Sequence, residues 1–122
     1  MNAREKALLQ VAQRHFDAEV EGDIEKTIET LTDDIVYEHP FYDDVMHGKD
    51  EVRQYYRRTW AASPFREVKI VRYWISGDNV IVIEVDARAG HPGEPPRRGR
   101  TLAICKFRND RLSHEIVYSP RV

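Results

Sequence analysis

Five histidines and one cysteine, Cys105, occur among the 122 residues. Imidazole gains and loses a proton near neutral pH, with an unperturbed pKa of ~6.5. Paired with a carboxylate, it suits proton transfer on a carbonyl compound or activation of water. Glu84, Asp86 and Glu115 are carboxylates set within apolar, strand-like runs. Other chemistries lack their residues. The histidines show no HxH, HxxxH or HExxH spacing, and one cysteine cannot build a thiolate site, so no metal is expected. The only cation flanking Cys105 is Lys106, which a strand turns to the opposite face, so the thiol reads as a small buried group. No G-x-S-x-G elbow and no glycine-rich phosphate loop is present. Arg57, Arg58, Arg97, Arg98 and Arg100 read as a solvated patch rather than a nucleic-acid footprint.

These side chains need elements to hold them. Leu8, Leu9, Ala12, Phe16 and Val20 share one helical stripe, flanked by Val11 and His15. Gly22 ends that helix and Asp23 caps a second, running to about Leu31 with Ile24, Ile28 and Leu31 on its apolar side. Thr32-Asp33-Asp34 reads as a turn, and Ile35 to His39 as a short strand stopped by Pro40. A third helix begins near Gly48, with Val52, Tyr55, Tyr56, Thr59 and Trp60 inward, and ends at Ser63-Pro64. Four strands follow: Val68 to Ile75, Val80 to Arg88, Thr101 to Phe107 and Leu112 to Tyr118. Turns at Ser76-Gly77-Asp78-Asn79 and Asn109-Asp110 join two pairs of them. Helices first and strands after predict an α+β fold with an antiparallel sheet.

Composition bounds the function. Apolar residues make up 41% and charged residues 33%, with a net charge of -2, which fits one globular domain over residues 1–122 and excludes a strongly basic nucleic-acid binder. One cysteine excludes a disulfide scaffold and favours a reducing, cytoplasmic setting. No run approaches the ~20 apolar residues of a membrane span, and the N-terminus has no signal-like apolar core.

The order of elements resembles the cone-shaped fold of nuclear transport factor 2, the SnoaL-like polyketide cyclases and ketosteroid isomerase. Gly22-Asp23-Ile24-Glu25, Asp33-Asp34, Glu38-His39-Pro40-Phe41 and His47-Gly48-Lys49 are similar to a run in bacterial ketosteroid isomerases at the same spacing. Gly90-His91-Pro92-Gly93, Pro95-Pro96 and Gly99-Arg100 look like a shortened SnoaL-type loop, and Asp110-Arg111-Leu112 with Tyr118 has a SnoaL-like ending. The resemblance implies three N-terminal helices packed on a strongly curved antiparallel sheet, a cone-shaped α+β barrel with an internal pocket. By the same resemblance, the isomerase's proton-shuttling Asp falls on His39 and its oxyanion-binding Tyr on His15. The Tyr that supports that donor falls on Tyr56, and the protonated Asp on Ala103, which offers no donor. Steroid isomerisation by that mechanism is therefore not implied. His39 is expected to be the general acid or base, with His15 positioning a substrate oxygen and Glu115 beside them as a third catalytic group. Each of the two histidines also has a purely structural reading, and Tyr56 and Trp60 equally suit a helix core or a pocket wall.

Strand parity decides the rest. The parity implied by the resemblance turns Val82, Glu84 and Asp86 inward with Thr101, Ala103, Cys105, Glu115 and Val117. It leaves Ile81, Ile83, Val85, Leu102, Ile104, Ile116 and Tyr118 on an apolar outer face, which would pair two copies of the chain. Hydrophobic patterning gives the opposite for residues 80–88, with Ile81, Ile83 and Val85 in the core and both acids in water. Arg88 beside Asp86 resembles the Asp–Arg grouping of limonene epoxide hydrolases in residue type but not in spacing. The expected function is a small-molecule pocket protein, a cofactor-independent isomerase, cyclase, dehydratase or hydrolase acting on a small apolar carbonyl compound. The alternative is a non-catalytic ligand-binding or dimerisation module of the same fold. The expected partners are a small-molecule ligand and a second copy of the chain, with neither nucleic acid nor membrane.

Overall fold

A computed structural model describes residues 1–77 and 79–119. Asp78, within the expected Ser76–Asn79 turn, lies outside the described residues.

The first helix, α1 (Ala3–Glu21), starts at a capping box in which Asn2 accepts from the Glu5 amide and Glu5 reaches back. It stops at Gly22, whose left-handed φ of 73° suits glycine. Asp23 caps α2 (Ile24–Glu29) by accepting from the Lys26 amide. That helix is shorter than the periodicity predicts. Leu31 instead opens β1 (Leu31–His39), and the expected Thr32-Asp33-Asp34 turn is strand. There β1 shifts register against its neighbour between Leu31 and Val36, and the two acids point to solvent, Asp33 to Lys49 and Asp34 to Arg108. A 3-10 turn (Pro40–Tyr42) leads to β2 (Asp44–His47), four residues with no readable alternation. Then follow α3 (Gly48–Ala62), β3 (Phe65–Ile75), β4 (Val80–Ala89), β5 (Arg97–Arg108) and β6 (Arg111–Tyr118). Asn109 and Asp110 both have positive φ, 51° and 61°, as the tight turn between β5 and β6 requires.

The described residues form one six-stranded sheet in the order β2-β1-β6-β5-β4-β3. It is not wholly antiparallel, because β1 runs parallel to β6. Register shifts in β1, β3 and at the β5–β6 pair bend the strands, and the curved sheet stays open between its edges β2 and β3 rather than closing into a barrel. The helices cover the inner face. Leu8, Val11, Ala12 and Phe16 of α1 and Val52, Tyr55, Tyr56 and Trp60 of α3 meet Ile81, Ile83, Ala103, Cys105 and Leu112 in one core.

The parity of β4 is the reverse of the one the resemblance implied. Ile81 pairs with Cys105, Ile83 with Ala103 and Val85 with Thr101, so these residues share the inner face and all three β4 residues are buried. Glu84 and Asp86 face outward with Val82, because directly paired residues of neighbouring strands point the same way. Outside they are met by arginines: Glu84 pairs with Arg72 at 3.1 Å and Arg100 at 2.5 Å, and Asp86 takes Arg98 at 2.6 Å. Arg88 is exposed on the same outer face. Truncating Ile83 to Ala should therefore cost about 2–5 kcal/mol of stability, and Glu84→Ala about 1 kcal/mol or less. Urea unfolding of the two variants measures this, and equal costs would contradict the register.

Candidate functional site

The curved sheet and the helices enclose a cavity of about 390 Å³, at the small end of the range for ligand pockets. Its walls are mainly apolar: Phe16, Val68, Val85, Ala87, Ala103 and Val117. Small residues make the space. Ala87 pairs with Gly99 and Ala89 with Arg97, so three of these four inner positions carry little or no side chain. The exposed Ala62, Arg97 and Arg98 mark the open end. Buried Glu19 and Glu115 mark the deep end.

Behind the deep end lies a cluster that no pairwise motif announces. His15 is fully buried in α1. The Thr30 hydroxyl donates to the Thr27 carbonyl at 2.6 Å, so its oxygen must accept from His15 Nδ1–H, 2.7 Å away. That fixes which ring nitrogen is left to face the carboxylates. Nε2 lies 3.3 Å from Glu115 Oε1 and 3.8 Å from Glu19 Oε1. Burial by itself would lower the imidazole pKa, but the charges of Glu115 and Glu19 outweigh it and lift His15 to about 9. Burial raises Glu19 to about 8, against the pull of His15 and with a push from Glu115. One imidazolium cannot neutralise two desolvated carboxylates, so burial here favours the protonated form of Glu19.

His39 ends β1 and lines the cavity within an aromatic wall, its ring centroid 6.1 Å from Tyr37, 5.5 Å from Tyr42 and 6.3 Å from Tyr55. The structure thus sets His39 and Glu115 on one cavity and His15 directly behind Glu115. Ala103 and Val117 also line it. Tyr56 and Trp60 stack on each other at 4.6 Å and belong to the core instead, and among the described residues the buried Tyr56 hydroxyl has no hydrogen-bond partner. Cys105 sits across the sheet from Glu115, fully buried, and burial pushes its thiol well above the ordinary range. Glu84 and Asp86, expected in the pocket, lie on the far side of the sheet.

Glu19 is the residue that the sequence reading overlooks. It falls three residues after Phe16 and seven after Ala12, inside the apolar stripe of α1, and one turn after His15. A charge at that phase was the available signal. Tyr37 and Tyr55 reach the cavity as well, and burial holds the Tyr37 hydroxyl protonated.

Residues 12–115 match the SnoaL-like domain family. The chain belongs to that family. No curated protein is a significant sequence match. Among solved structures, a candidate isomerase from Bacillus subtilis is 15% identical and superposes with a TM-score of 0.85 over 98% of this chain and 90% of that one. An LEH-like epoxide hydrolase from Mycobacterium tuberculosis is 19% identical, with a TM-score of 0.79 over 94% of this chain and 84% of that one. A candidate SnoaL-like polyketide cyclase from Shewanella putrefaciens CN-32 is 15% identical, with a TM-score of 0.76 over 92% and 88%. At such identities the likeness shows the shared fold, and three different reaction names on one SnoaL-like architecture leave the chemistry to the site. Among the described residues no helix is long and apolar enough to cross a membrane.

The shifted protons make stability pH-dependent. The folded chain holds protons on Glu19 and His15 to about 8 and about 9, against ordinary values of 4.5 and 6.5. It is then the proton-richer state between those limits, and its stability falls as pH rises, by at most about 1.4 kcal/mol per pH unit per proton. Urea midpoints should drop between pH 6 and pH 10, and Glu19→Gln should flatten the drop. A wild-type midpoint constant over that range would show that the cluster holds no extra protons.

Proposed function

We propose that the protein is a cofactor-independent acid–base enzyme acting on a small, largely apolar carbonyl compound, of the isomerase, cyclase, dehydratase or hydrolase type. The observation that carries this reading is that His39 and Glu115 face one apolar cavity while a buried imidazole backs the carboxylate. In an apolar cavity a substrate is stripped of water, and charge that develops on it must be met by fixed protein groups. His39 lines the cavity and carries an imidazole, a side chain suited to proton transfer, so it takes or returns the proton. Glu115, backed by His15 at 3.3 Å, supplies the second acid–base group of the same cavity. His15 does not line the cavity and acts through Glu115, as a positioning residue.

A thermal-shift screen of small ketones, aldehydes and lactones should yield ligands that raise Tm, and turnover of the best of them can be followed by NMR. His39→Ala and Glu115→Gln should each retain the fold and lose about 10²–10⁴-fold in kcat. Unchanged turnover in both variants would remove the catalytic reading and leave a binding module.

The outer face of the sheet supports a second element of the proposal, self-association. Trp74, Val82, Ile104 and Ile116 are successive cross-strand partners and form one apolar row, with Leu102 and Tyr118 beside it. Trp74 is 49% exposed. The row is narrower than first expected, since Ile81, Ile83 and Val85 are core residues. A homodimer through this row fits a cytoplasmic protein with a single buried thiol. Sedimentation at micromolar concentration should give a dimer and Ile104→Glu a monomer, whereas a monomeric wild-type chain would overturn this element.

A further inference from the structure

Three acid–base groups meet at the deep end, and the chemistry above uses only two of them. Glu19 is the third. It is buried, it lines the cavity, and no described residue hydrogen-bonds its carboxyl group. Its nearest charged neighbour is His15 Nε2 at 3.8 Å, and that nitrogen lies closer to Glu115. Other titratable groups couple to it electrostatically: Glu115 from β6, Tyr37 from β1, Tyr56 from α3 and Cys105 from β5. None of these brings a second positive charge. A buried carboxylate with neither a cation of its own nor a donor is expensive, whereas a buried carboxylic acid needs only somewhere to direct its O–H. The direction left open is the cavity. Ala103 of β5 also lines the cavity and offers no donor.

We propose that Glu19 is a catalytic residue of the pocket: a neutral carboxylic acid whose O–H donates a hydrogen bond to the acceptor oxygen of a bound carbonyl compound. The inference rests on the carbonyl-pocket reading above and adds the group that holds the substrate's oxygen. Donor and base then stand on different elements, Glu19 on α1 and His39 at the end of β1. As a proton leaves the carbon next to the carbonyl, negative charge gathers on the oxygen and the Glu19 hydrogen bond strengthens. Glu115 takes the imidazolium of His15 and so keeps that charge away from Glu19. The arrangement explains why two carboxylates share one histidine: the nearer one neutralises it, and the farther one stays acid. Burial, which lifts Glu19 to about 8, agrees with this assignment.

Two measurements on the full chain test it. Difference infrared spectroscopy across pH 5–10 should show the C=O stretch of a buried protonated carboxyl at neutral pH. That band should disappear around pH 8 and be absent from Glu19→Gln. In the second, acetophenone labelled with ¹³C at its carbonyl is bound to the wild type, Glu19→Gln and Glu19→Leu. Its carbonyl resonance should move downfield on the wild type, lose that displacement above pH 8, and keep a smaller, pH-independent one with Gln. With Leu the displacement should vanish and affinity fall about tenfold, as for the loss of one hydrogen bond. Absence of the neutral-pH band, or an unaltered resonance on the Leu variant, would overturn the role of Glu19 while leaving the pocket intact. No displacement or binding on the wild type would remove the carbonyl pocket and the Glu19 donor together.

Discussion

A single imidazole buried against two carboxylates is the constraint around which this molecule is built. His15 has no access to solvent, so every polar atom of its ring must be met by the protein. Meeting Nδ1 requires Thr30 at the end of α2, and Thr30 must in turn give its own proton to Thr27. Nε2 makes no hydrogen bond among the described residues and is held instead by the charge of Glu115, 3.3 Å away on β6. The Leu112 amide donates to the Thr30 carbonyl at 2.8 Å, so the same short segment that anchors the imidazole also anchors the start of β6. Helix, turn and strand are thereby held in one arrangement by groups that would each be costly to leave unpaired.

This constraint separates what the sequence shows from what it hides. Local chemistry was readable because it is satisfied locally. The stripe of α1, the Asp23 cap and the Asn109-Asp110 turn each follow from residues within a few positions of one another. The parity of β4 was not readable from resemblance, because a shift of one residue exchanges both faces and the outer face carries arginines that can satisfy acids. Simple patterning was right there: Ile81, Ile83 and Val85 are worth more in the core than Glu84 and Asp86 are in a pocket. The parallel pairing of β1 with β6 and the four-residue β2 depend on contacts far apart in sequence, and no local signal encodes them. Glu19 lay between these cases. Its phase on the helix was visible, but its meaning depends on β6.

The cavity has a complementary origin. Protein interiors close up unless small side chains prevent it. Along β4 and β5 the inner positions shrink from Ile81, Ile83 and Cys105 to Ala87, Ala89 and Gly99. The sheet therefore has a packed half beneath the helices and a hollow half toward its open end, and the ionisable cluster sits at the junction. On the outer face the same strands carry Arg98 and Arg100 against Asp86 and Glu84. The nearly balanced charge of the chain thus hides two separate populations: ion pairs that lie in solvent, and a few groups buried where their protons are held unusually tightly.

That division bears on how a SnoaL-like scaffold hosts different reactions. The scaffold supplies the hollow half, the curved sheet and a place where a helix and the last strand face each other. It does not supply the charges. Here the position on which the resemblance places the isomerases' protonated acid is Ala103, on the sheet, and α1 brings Glu19 to the cavity from the helix side. A donor moved from sheet to helix approaches a bound carbonyl from a different wall, so the plane of that carbonyl, and hence which neighbouring C–H faces His39, must turn with it. Selectivity among carbonyl compounds in this family would then depend on which wall holds the neutral acid as much as on the shape of the cavity.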